Sequence, residues 1–405
     1  MFTFASGNEC LNHPMNRFII YYLNLSMLFT TAASAQKKQA DIIRWKIAAM
    51  LPAMNGQPQS KGFAGPVSGV NHDMLIVGGG SNFPDSMPWF GGKKKYYDDG
   101  YALKKATDGN LQFFKLFKLP YTIAYAASCS TPRGIVYAGG ENEKGIQSQV
   151  MLLQWDTNTE GPVFKQLPDL PQPVTNAAIT CFEFKLYILG GETAHEVSRH
   201  LYCLNLNDIK VGWQKLPDAP ELVSHAVIAV QSYDDQSFLY LMGGRNKKPN
   251  GISDLYSAVY RFHLKDHTWE KKRSLPYALS AGTGVAYGSQ YILLFGGDKG
   301  TVFHKTENLI AAINREKEGR QKNDLNLAKI QLQSTHPGFS KEVLQYDITK
   351  DLWSVAGYIP LDVPVTTTAV IWGDRVIISN GEIRAGVRTP QILAGKLKIT
   401  ETGIQ

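Results

Sequence analysis

Cysteine is scarce in this chain, with four among 405 residues. Cys10 falls in an amino-terminal leader, Cys129 and Cys181 hold equivalent places in a repeat, and Cys203 follows in another strand. An odd number thus remains, which argues against a disulfide framework and for three buried small apolar side chains. Charge is modest as well: 19% of residues are charged against 43% hydrophobic, the balance of a folded soluble protein rather than a disordered one. No basic run extends beyond Lys93-Lys94-Lys95, and bases do not alternate with aromatics, so nothing points to nucleic acid. The net charge of +7 suits an anionic ligand, or simply a basic surface. There is no G-x-S-x-G nucleophile elbow and no phosphate-cradling loop. The nine histidines are scattered, and "HEVSRH" (195–200) has the wrong spacing for a two-histidine zinc helix. Neither a metal nor a cofactor is expected.

Long apolar runs are also missing, except at the start. From Met15 the chain reads "MNRFIIYYLNLSMLFTTAASAQ", one arginine, an apolar run and then Ala33-Ser34-Ala35. That is the pattern of a cleavable secretory signal with processing after Ala35, too short to span a bilayer comfortably. Residues 1–35 are therefore expected to be a signal peptide with an upstream extension, and 36–405 the mature domain. No later segment is apolar for long enough to cross a membrane.

What the chain has in abundance is glycine, 37 residues, together with Tyr and Phe. The glycines are periodic. Six times an apolar run ends in a glycine pair or its variant: "MLIVGGG", "IVYAGG", "LYILGG", "LYLMGG", "YILLFGG" and "VIISNG". Six times, too, an aromatic residue stands seven places before a proline, from Trp45/Pro52 to Trp353/Pro360. Each unit reads as four short strands, the pattern of a kelch-type propeller blade. The predicted fold is all-β, a single six-bladed kelch-type β-propeller. Because Trp45–Pro52 precedes the first glycine pair and Gly381 has no such element after it, the strand near 41–48 is expected to complete the last blade, at about 365–399. Ring closure of this kind removes free sheet edges.

One spacing departs from the rest, the 84 residues from Gly297 to Gly381. The excess lies in a polar, helix-prone insertion (301–340), and a loop of that length points to a lid over the central channel, with surface decoration as the alternative. A smaller aromatic-rich insertion in the first blade, "SNFPDSMPWFGGKKKYYDD", suits a pocket mouth or loop packing.

The segments that follow the glycine pairs leave their strands in the same direction, so they gather at one end of the ring. They begin with Ser81-Asn82, Glu141-Asn142, Glu192-Thr193, Arg245-Asn246, Asp298-Lys299 and Glu382-Ile383. Polar residues around a shared cavity suit a small polar ligand, with Asn82, Glu141 and Arg245 as candidate substrate contacts. The last copy, "NGEIRAGVRT", carries Glu382 directly after the glycine and Arg388 six residues on, past an Ala385-Gly386 turn. An arginine beside a glutamate favours a carboxylate ready to act as base and offers a fork to an anionic group. A plain surface ion pair is the alternative.

These residues carry a resemblance. The glycine-pair blades, "NGEIRAGVRT", the opening "GFAGPVSGVNHDMLIVGGGSNFPD" and the leader together resemble the N-acetylneuraminate epimerase family, periplasmic six-bladed kelch proteins that interconvert the α and β anomers of free sialic acid. The likeness covers the mature chain, with the "NGE" blade last rather than mid-chain, as in a cyclically permuted branch. It implies a catalytic base at Glu382, a substrate-orienting arginine at Arg388, a sialic acid substrate, no cofactor and a periplasmic location. Rival readings are a non-catalytic carbohydrate- or protein-binding propeller, a mutarotase for another sugar acid, and a copper oxidase on the same ring. The last would need a Tyr–Cys pair near two histidines, of which only His225 lies near a blade start.

Overall fold

The computed structural model describes residues 43–53, 59–107, 110–249 and 251–397. The proposed signal peptide, 1–35, lies outside them. Each repeat folds as its pattern dictates. In the first, the wholly apolar run Met74–Gly78 is buried along its whole length, whereas Leu111–Lys118 is mostly exposed, with only Leu111 and Phe117 buried. A strand covered on both faces thus sits inside the sheet, and a strand half in water forms its outer edge. Six four-stranded antiparallel sheets result, here blades I to VI, and the protein is a six-bladed β-propeller. The first strands of the blades, Val67–Asn71, Ala127–Thr131, Ala178–Phe182, Val227–Tyr233, Thr283–Tyr287 and Ala369–Trp372, touch one another around the axis.

Blade VI closes the ring. Its outermost strand is Ile43–Met50, paired antiparallel with Gln391–Leu397 from Ile43↔Leu397 to Met50↔Gln391. The expected strand and its partner are both present.

Packing between blades supplies the core. Six apolar clusters each join two neighbours; blades V and VI, for example, share Phe295, Val343, Ile378 and Leu393. The repeated aromatic adds a directional tie. Trp213, Trp269 and Trp353 each send the indole N–H to a carbonyl of the preceding blade, at Pro168, Pro217 and Arg273, over 2.8, 3.1 and 2.9 Å. A large apolar wedge with a satisfied polar edge is what a tryptophan contributes at such a seam.

The most constrained feature lies next to the axis. Gly65, Tyr125, Asn176, His225, Ala281 and Thr366 all have φ between 50° and 63°. Their backbones form a closed circle of hydrogen bonds, each N–H donating to the carbonyl of the previous member, from Tyr125 to Gly65 (2.8 Å) round to Gly65 to Thr366 (2.7 Å). Left-handed backbone is costly for residues with a side chain, and most of all for β-branched threonine. Six blades bonded into one circle hold it in place.

The insertion in blade V is a helical hairpin, α1 (Thr301–Arg315) and α2 (Arg320–Ser334). It is anchored to blade IV, where Glu307 accepts from the Ser253 N–H (2.9 Å) and Oγ (2.7 Å). None of the described helices is long and apolar enough to cross a membrane.

Candidate active site

Immediately after each glycine pair the chain makes one backbone bridge to the residue preceding the hydrogen-bonded circle. The pairs are Ser81–Ala64, Glu141–Ala124, Glu192–Thr175, Arg245–Ser224, Asp298–Ser280 and Glu382–Val365. The fold thereby fixes one variable residue per blade at the same height around the axis. Five of them, Glu141, Glu192, Arg245, Asp298 and Glu382, line one cavity of about 320 Å3. Tyr125, Asn176, His225 and Thr366 of the circle form part of its wall, Lys94 enters from the blade I insertion, and Phe303 and Phe339 from the blade V insertion. On the other side of the circle runs a channel of about 440 Å3 walled by the first strands, with Cys129 and Cys181 on its surface. All three described thiols are free and half-buried rather than fully buried.

Glu382 and Arg388 face each other on one hairpin, formed by Glu382–Arg384 and Val387–Arg388. Glu382 Oε1 accepts the Gly386 N–H at 2.8 Å, and Oε2 lies 3.4 Å from Arg388 Nη2. The carboxylate is therefore oriented at both oxygens while its side chain stays open to the cavity. Arg388 itself is 5% exposed. Its guanidinium stacks on Phe83 at 4.9 Å, and its Nε and Nη1 have no hydrogen-bond partner among the described residues. It lines a neighbouring cavity of about 510 Å3, with Asn82, Phe83 and Met87, rather than the one that Glu382 lines.

The other candidates divide. Glu141 is on the cavity, holding Lys94 Nζ at 2.9 Å and Tyr96 Oη at 2.8 Å. Arg245 is there too: its Nη2 lies 3.3 Å from His225 Nε2 and 3.5 Å from Glu192 Oε1, and its guanidinium sits 4.8 Å above the Phe303 ring. Asn82 is not. It is 4% exposed, and its amide is occupied, donating to Gly62 O (2.9 Å) and accepting from Tyr97 Oη (2.8 Å). Asn142 makes the same donation to Thr122 O one blade on, so this position ties the loop together, and Asn82 lies on the neighbouring cavity with Arg388.

Sequence reasoning left Lys94, Tyr125, Asn176 and His225 out of the site. A signal existed: Gly65, Tyr125, Asn176 and Thr366 each stand sixteen residues before the residue that follows a glycine pair. The residue types differ from blade to blade, so only that register marks them. His225 is held well below its usual pKa by burial and by the Arg245 guanidinium, and so is neutral in the folded protein.

The corner that carries Glu382 also collects unpaired polar groups. Where five blades have glycine with φ from 62° to 68°, blade VI has Asn380 at 57°. The asparagine is wholly buried, and neither amide atom has a partner among the described residues. Ser379 Oγ beside it is likewise unpaired. Such groups are rare in interiors and mark sites where stability is traded for function.

The sequence pattern of the N-acetylneuraminate epimerases matches residues 22–160 and 167–404, nearly the whole chain. The chain belongs to the N-acetylneuraminate epimerase family. Among curated relatives, the N-acetylneuraminate epimerase of Haemophilus influenzae (strain PittEE) is 26% identical over 242 residues, 59% of this chain and 60% of that protein. That of Salmonella typhimurium is 27% identical over 229 residues, 56% and 57% of the two. That of Pasteurella multocida is 24% identical over 233 residues, 57% and 59% of the two. The matched stretch thus spans less than two thirds of each of these epimerases.

Proposed function

We propose that this propeller is a mutarotase that interconverts the α and β anomers of N-acetylneuraminate. The observation that carries the reading is Glu382, a carboxylate oriented by Gly386 and Arg388 on the wall of a polar cavity. Family membership supplies the substrate class, since the relatives are named for it.

The chemistry asks little of the protein. Glu382 takes the proton from the anomeric hydroxyl, the bond from the anomeric carbon to the ring oxygen breaks, and the ring oxygen takes up that proton from the Glu382 carboxyl, directly or relayed by a water. Rotation in the open-chain keto acid and closure on the other face complete the exchange, with the proton movements reversed. A positioned carboxylate contributes about 10²–10⁴-fold to such a step. Arg388 lines the neighbouring cavity, so its part is to orient the base, with Nη2 3.4 Å from Glu382 Oε2. The hairpin insertion, through Phe303 and Phe339, serves as the lid over the bound sugar. On this reading residues 1–35 are a cleaved leader and the enzyme works in the periplasm.

The test is anomer exchange by NMR. A sialidase releases the α anomer from a glycoside, and relaxation to the β-rich mixture is followed with and without purified 36–405. Acceleration supports the mutarotase; a folded protein that leaves the rate at its uncatalysed value returns the propeller to the class of sugar-binding modules.

A further inference from the structure

The wall across from Glu382 carries a second built polar site. In the hydrogen-bonded circle Thr366 and Asn176 are three steps apart in either direction, so blade III stands opposite blade VI. There and on blade IV four side chains form a chain. Ser224 Oγ donates to Glu192 Oε1 at 3.0 Å, and His225 Nδ1 lies 3.0 Å from Ser224 Oγ. Because the serine proton is committed to Glu192, the imidazole donates from Nδ1. That leaves Nε2 as the acceptor for Arg245 Nη2 at 3.3 Å. The neutral state of His225 agrees with this arrangement.

The chain consumes only one side of each terminal group. Glu192 Oε1 meets Ser224, Arg245 and His225, whereas Oε2 has no partner among the described residues. Arg245 is engaged through Nη2, and its buried Nε is unpaired. Both residues line the cavity, with Phe303 of α1 against the guanidinium face. Glu192 Oε2 and the Nη1 edge of the Arg245 guanidinium, which none of these contacts occupies, match a pair of adjacent hydroxyls, one donating and one accepting.

We infer that Glu192 and Arg245 form the specificity site of this enzyme and bind the polyol tail of the sugar acid, the end remote from the anomeric carbon. His225 and Ser224 are positioning residues that hold the pair at a fixed spacing. The inference deepens the mutarotase reading and rests on it for the identity of the sugar. A substrate whose reacting carbon is at Glu382 extends its opposite end towards blades III and IV. A hexose or a truncated acid leaves the two charged groups without partners, which costs more than the contacts themselves are worth.

The experiment is a binding titration, independent of turnover. N-acetylneuraminate and its analogue shortened in the glycerol tail by mild periodate oxidation and reduction are titrated by NMR against Glu382→Gln, alone and combined with Arg245→Met or with Glu192→Gln. The expected result is a preference for the full-length acid of at least about tenfold in the parent, falling towards unity in both double variants. Binding of the shortened acid should be nearly unchanged throughout. Glu192→Gln keeps the shape of the site and covers the case in which Arg245→Met unfolds. An undiminished preference in the double variants, or equal losses for both sugars, overturns the inference, as does failure of the folded parent to bind either sugar. A tail preference that depends on Arg245 in a wild-type protein that does not speed anomer exchange overturns mutarotation and leaves the specificity site standing.

Discussion

The backbone N–H of Gly386 reaches the side chain of Glu382 at 2.8 Å, so the turn of a four-residue step in sequence holds the carboxylate that faces the cavity. The hairpin that makes this contact then delivers Arg388 to the other carboxylate oxygen. Base and orienting cation are thus set by one small element, mounted on a ring that fixes its position. Arg388→Lys keeps the charge and loses the planar fork. Anomer exchange by this variant should fall about tenfold or more in kcat/KM, the worth of one charge-assisted hydrogen bond. Kinetics unchanged from wild type would show that the fork is not used.

Asn380 occupies a left-handed position that five blades give to glycine, with both amide atoms buried and unpaired. Asn380→Gly removes two orphaned polar atoms and relaxes the backbone, so it should raise stability by about 1–3 kcal/mol. Thermal unfolding measures this. The same variant should be slower in anomer exchange, because strain of this kind at a functional corner is retained for use. A variant both less stable and fully active contradicts the account.

Acid should destabilise the protein through histidine. Burial and Arg245 hold His225 below its ordinary 6.5, and burial lowers His336 as well. The unfolded chain binds protons at these sites once the pH falls below about 6.5, while the folded chain does not. Stability present above that pH is therefore lost as the pH drops beneath it. His225→Gln should flatten the decline in urea midpoints measured between pH 7 and 5. An unaltered slope would remove His225 from the explanation.

The cysteines should be poor nucleophiles. Burial pushes Cys181 up to about 11 and Cys129 well above its usual 9.0. Iodoacetamide at pH 8 should label them much more slowly in the folded protein than in urea, by intact mass. Equal rates would contradict the burial seen here.

Much of this was legible in the sequence, and the reason is repetition. Six glycine pairs and six aromatic–proline pairs gave the number of blades, and the order of the two markers gave the closure by Ile43–Met50. Glu382 and Arg388 stood out because one copy departed from the other five. The circle residues Tyr125, Asn176 and His225 did not stand out. What they share is a backbone angle and a hydrogen bond, and no residue type reports either. Asn82 reads in the sequence as a free asparagine after a glycine pair, but folding commits its amide to Gly62 and Tyr97. Which cavity Arg388 faces depended on where Phe83 came to lie, a contact between blades that no spacing encodes.

The most direct test of the central claim is the rate of α-to-β exchange of N-acetylneuraminate, measured by NMR for wild type and Glu382→Gln at equal concentrations of folded protein. The account predicts acceleration by the wild type and a loss of about 10²-fold or more in the variant, which keeps the shape of the side chain and removes its basicity. A Glu382→Gln protein that exchanges the anomers as fast as the wild type would contradict it.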